Sequence, residues 1–136
     1  MIFKQALIEN PKLLFILDSL GALLSAFMLG FVLVHFKSFF GIPITTLYIL
    51  ATLPLLFVAF DVYSYFSADS QLGINLRRIA IINLSYCLLS LYLAFYHIEL
   101  ITVYGWIYIV IEIIIVLFIA NLEFKTGNKY LHSNTH

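Results

Sequence analysis

Four stretches of about 20 mostly apolar residues, each closed by polar or turn-forming residues, constrain this chain more than any other feature. They run over about 13–36, 44–66, 76–97 and 100–122 and occupy most of its 136 residues. A helix needs a run of that length to cross the hydrocarbon of a bilayer, where every backbone N–H and C=O has to be bonded within the protein. Residues of the AVILMFWYC set make up 63% of the chain and charged residues 10%, a balance that one water-soluble core of this size could not hide. The expected fold is therefore all-α: a membrane-embedded four-helix bundle, one domain over 1–136, with the lipid bilayer as its first partner.

The connections define the expected topology. Lys37, Gly41 and Pro43 mark a turn after the first span, and SADSQLG at 67–73 is the most polar internal segment. The break at His97 to Glu99 is so short that spans three and four must run antiparallel. This predicts an antiparallel up-down bundle. Lys4, Lys12, Arg77, Arg78, Lys125 and Lys129 then fall on one side and Lys37 alone on the other. Short loops that keep Lys and Arg remain cytoplasmic, so both termini are expected there, in the inner membrane if the source is bacterial. The first apolar run is too long for a signal-peptide core and is expected to stay in the mature protein. The polar segment 125–136 reads as a mobile tail.

Several partner and function classes are disfavoured. A formal net charge of zero gives no electrostatic footprint for nucleic acid. With Cys87 as the single cysteine, neither an internal disulfide nor a two-thiol relay within one chain is available. No nucleophile elbow, phosphate-cradling glycine loop or closely spaced metal motif is present, so an enzymatic role has no support in any motif.

The residues that do suggest chemistry are polar groups inside the apolar runs. Helical spacing puts Asp18, Gly21, Ala22 and Ser25 on one face of span one, and Pro54, Val58, Asp61 and Tyr65 on one face of span two. Asn83, Tyr86, Cys87, Ser90, Ala94 and His97 form a stripe on span three, and Tyr104, Gly105, Tyr108 and Glu112 line up on span four. A rise of about 1.5 Å per residue puts Glu112 near the bilayer centre, with Asp18 and Asp61 about 9 Å and Asn83 about 6 Å to the cytoplasmic side. Arg77, the best placed base, starts about 15 Å from the centre and does not easily reach Glu112. An unpaired carboxylate in a low-dielectric interior is costly, so Glu112 is expected to hold a proton or meet a cation. Its expected hydrogen-bond partners are Tyr108, Tyr86, Ser25 or Asn83.

Pro54 is expected to bend span two, and Gly21, Ala22, Ala26 and Gly30 to let another helix approach span one closely. That helix can belong to the same chain, to a second copy in a homodimer, or to a larger membrane partner. His35 and His97 fall at one level near the outer rim beside Glu99, a set to test as haem or metal ligands, although no other cofactor is implied.

In length and number of spans the chain is similar to the small multidrug resistance transporters. That family carries its membrane-centre glutamate on the first span, where this chain has Leu23 and Leu24. The glycine-rich segment with a following arginine of the small fluoride channels is also missing, so the sequence is placed in neither family. Three functions are left. The first is a protein that binds or moves a proton, cation or small amphipathic ligand through a pocket of Glu112, Asp18, Asp61, Asn83, Tyr86 and Tyr108. The second is a non-catalytic accessory or scaffold subunit. The third is a haem- or metal-binding redox subunit.

Overall fold

The computed structural model describes residues 10–134, and they are helical with no strand among them. Lys4, Thr135 and His136 lie outside the described residues. Helix α1 covers Pro11–His35, α2 Lys37–Phe40, α3 Ile44–Tyr65, α4 Leu72–Tyr96 and α5 Val103–Asn134. Four of these, all but α2, are long and apolar enough to cross a membrane. With the composition, they point to an integral membrane protein.

Local chemistry accounts for where the helices start and stop. Pro11 occupies the first turn of α1, where its missing N–H costs no helical bond. The helix widens to a π turn over Met28–Val32, and Gly30 within it lies so near α3 that an added Cβ would stand 3.2 Å from the Ala51 Cβ. Gly41 ends α2 in the left-handed region at φ 75°, its N–H bonded to the Lys37 carbonyl. No other residue type fits there, because a Cβ would also collide with the Leu100 carbonyl oxygen. Thr102 caps α5: its Oγ accepts from the Gly105 N–H and donates to the Phe39 carbonyl at 2.6 Å. The connection 97–102 is thereby tied to the one after α1, and the Thr102 N–H bonds the Phe40 carbonyl at 3.1 Å.

The fourth long helix departs from the expected boundary. It runs on beyond residue 122 through most of the segment read as a tail, and residues 125–134 are helical. Thr126 and Gly127 are buried where α5 crosses the start of α4, and a Cβ at Gly127 would stand 2.9 Å from the Gly73 carbonyl oxygen. Two small residues let the backbones approach there, so a polar stretch continues a helix without an apolar stripe of its own.

Helix α1 packs most extensively on α3, and α4 on α5, giving two helix pairs. Large apolar side chains such as Leu24, Phe31, Leu88 and Ile114 face outward while Asp18, Asp61, Asn83, Ser90, Glu112 and Glu123 are buried. This inversion of the usual burial order is what a lipid-facing bundle with a polar interior requires. Two apolar clusters fill the rest, one around Leu33, Leu47, Ala94 and Ile109, the other around Leu14, Phe15, Leu76 and Leu122. On α1, α4 and α5 the acids and Asn83 fall between or beside these clusters.

Candidate functional site

A cavity of about 280 Å³ lies among the four long helices. Helix α1 contributes Asp18, Gly21, Ala22 and Ser25, α3 contributes Pro54 and Phe57, α4 Asn83 and Tyr86, and α5 Tyr108 and Glu112. Its remaining wall is aliphatic. Leu24, Ile111 and Ile115 are both lining residues and strongly exposed, so the cavity has an apolar margin between α1 and α5. No lysine or arginine lines it. Of the six residues predicted to form the pocket, Asp18, Asn83, Tyr86, Tyr108 and Glu112 line this cavity, while Asp61 lies outside its wall; Tyr104, predicted to share the face of Glu112, is exposed.

The polar centre is built around Pro54. Proline has no N–H, so the carbonyl of Leu50, one turn earlier, lacks the donor that a helix normally supplies. The Tyr86 hydroxyl stands 3.5 Å from that carbonyl and is hydrogen bonded to Glu112 Oε1. A hydroxyl has one hydrogen and two lone pairs, which allows two arrangements. It donates to an ionised Glu112, or it accepts from a neutral one and turns its hydrogen toward Leu50. The second Glu112 oxygen is buried without a partner. Helix α3 is continuous through Pro54, which frees a carbonyl at the cavity.

Of the partners anticipated for Glu112, the Tyr86 hydroxyl is bonded to it, the Tyr108 hydroxyl also interacts with its carboxyl, and Ser25 lines the same cavity. Asn83 is engaged elsewhere: its amide donates to Asp18 Oδ1 and to Glu123 Oε1, both at 2.9 Å. Glu123 was missed by reading span four as ending at 122. The spacing could have found it, since 11 residues from Glu112 is close to three helical turns and returns to the same face. Asp18, Asp61 and Glu123, all buried, each present an oxygen within 4.8 Å of the others. They converge because α1, α3 and α5 all pass this level.

The histidines are not drawn together in that way. His35 is exposed and stacked on Phe31, and His97 is half-buried with its ring edge against Tyr96. Among the described residues the one converging set of three ligand-type side chains is the acidic one, and neither histidine nor Glu99 belongs to it. Gly30 meets Ala51, and Gly21 and Ala22 line the cavity.

Comparison with protein-family models, curated protein sequences and solved structures yields no match. Chemistry therefore has to be argued from the cavity itself.

Proposed function

We propose that this protein binds a small amphipathic ligand with a cationic or proton-donating group, taken from the bilayer, with Glu112 as the acceptor. The carrying observation is a cavity of about 280 Å³ that no lysine or arginine lines and into which Glu112 presents its carboxyl, with the Tyr86 and Tyr108 hydroxyls beside it. That volume is near the lower end for small-molecule sites, and a largely apolar wall with a few convergent polar groups suits a ligand with a short hydrocarbon body. The exposed margin of Leu24, Ile111 and Ile115 supports lateral access between α1 and α5. In the absence of ligand a proton on Glu112 satisfies the site, since the acid then donates to Tyr86 and Tyr86 to Leu50. Proton and ligand thus compete for one carboxyl, the arrangement that exchange across a membrane requires.

The proposed orientation is an up-down bundle with both termini cytoplasmic. Supporting it, Lys12 lies over the Tyr65 ring at 5.5 Å and Arg77 over the Phe124 ring at 5.4 Å, so these bases share the end where α3 and α5 finish.

The test uses the full chain in liposomes loaded with a pH-sensitive dye. Proton efflux should follow addition of a hydrophobic primary amine outside and should vanish in Glu112→Gln with helicity unchanged. Full flux in a folded Glu112→Gln would reduce the acid to a clasp between helices and leave the scaffold reading in its place.

A further inference from the structure

Beside the cavity, Asp18, Asp61 and Glu123 bring three buried carboxyl groups together from three helices, each offering an oxygen within 4.8 Å of the others. Burial of three acids is costly unless each finds protons with acceptors or a cation. Asn83 satisfies part of the demand by giving one hydrogen to Asp18 and one to Glu123. Asp61 is 0% exposed, and with the three acids ionised neither of its oxygens receives a hydrogen bond, although one of them is directed into the group. A proton on Asp61 has the Asp18 carboxyl beside it as an acceptor, so protons and a cation compete for this group. Asp18 Oδ2 and Glu123 Oε2 are likewise buried without partners.

Two further oxygens in the same condition belong to neutral residues. Ser64 Oγ and Thr126 Oγ1 are buried without partners, and each follows an acid of the group by three residues, on the same helix face. Four carboxylate oxygens and two hydroxyls without partners supply donor atoms of the type and number that a hard cation takes. Separations within 4.8 Å admit either ion, so the number and kind of ligands make the choice. Calcium takes about six to eight oxygens and accepts several carboxylates, whereas magnesium keeps most of its waters and takes one or two carboxylates.

We propose that Asp18, Asp61 and Glu123 form a binding site for a calcium-like divalent cation, with Ser64 and Thr126 completing the oxygen set and Asn83 positioning two of the carboxylates. The site is distinct from Glu112, which lies about 16 Å along α5 from Glu123. A groove lined by Phe15, Ser19, Asp61 and Tyr65 borders it on one side and the cavity borders Asp18 on the other.

The full chain in detergent, stripped with chelator, should bind one radiolabelled calcium ion per chain in equilibrium dialysis, with magnesium competing only in excess. Calcium should raise the thermal unfolding midpoint while choline at equal ionic strength does not. Asp61→Asn should weaken binding at least tenfold, Asn83→Ala about 10- to 100-fold as the loss of an outer-shell partner, and Glu112→Gln should leave it unchanged. Folded wild type that takes up no calcium and gains no stability from it would overturn the proposal, whatever the variants do. So would undiminished binding in folded Asp61→Asn, while tighter binding of magnesium than of calcium would overturn the choice of ion.

Discussion

Tyr86→Phe offers the sharpest measurement on the cavity, because it deletes one hydroxyl and keeps the ring that packs edge-on against Phe57 at 5.7 Å. Interhelical hydrogen bonds in membranes average about 0.6 kcal/mol and reach about 1.7. This one belongs near the upper end. Tyr86 and Glu112 are only 4% and 8% exposed, so water does not replace the bond between them. Removal of the hydroxyl also strands the Leu50 carbonyl that Pro54 leaves without a donor. We expect a loss of about 1.5 kcal/mol. In a Glu112→Gln background the cost should be the same within about 0.5 kcal/mol, since the amide oxygen still accepts. In Glu112→Leu it should fall below about 0.5 kcal/mol, because only the long contact to Leu50 is left. Reversible unfolding in mixed micelles, followed by far-ultraviolet circular dichroism, measures all six proteins. An equal cost of Tyr86→Phe in the Leu background would refute the coupling of hydroxyl to carboxyl, and with it the polar centre as drawn.

Three other outcomes follow from backbone geometry. Gly41→Ala should lower stability by more than about 1–2 kcal/mol, the left-handed penalty alone, because its Cβ also meets the Leu100 carbonyl; a thermal midpoint equal to wild type would contradict this. Gly21→Ala should be neutral or stabilising by up to about 1 kcal/mol, since nothing lies within 4 Å of the added Cβ in the middle of α1, and a clear loss in the same unfolding assay would show that the cavity is narrower than described. Thr102→Val should cost about 1 kcal/mol by removing the cap of α5 and the bond to Phe39, with faster hydrogen exchange at the Gly105 amide as its local signature.

Much of the architecture was legible in the residues. Length and apolarity of the four runs, the polar faces of α1, α3, α4 and α5, and the remoteness of any base from Glu112 depend on local spacing and composition, which a chain carries before it folds. Helical periodicity alone places Tyr86 inward, because one helix suffices to define its face. What it cannot define is which inward groups meet. Asn83 turned from Glu112 to Asp18 and Glu123, Pro54 proved to free a carbonyl for Tyr86, and Gly30 found Ala51 in its own chain. Each depends on relative heights and rotations of helices, set by packing across the whole bundle. The length of α5 was decided in the same way. Residues 125–134 lack an apolar stripe, and the close passage of Gly127 over Gly73 accounts for the burial of Thr126 and Gly127 within that helical segment. The sequence by itself determined that acids would be sealed within an apolar bundle, since the spans contain them and hydrocarbon excludes them. Tertiary structure decided that they form two separate groups, one around Tyr86 and one around Asn83, because only the docked helices bring side chains distant in the chain within hydrogen-bonding reach.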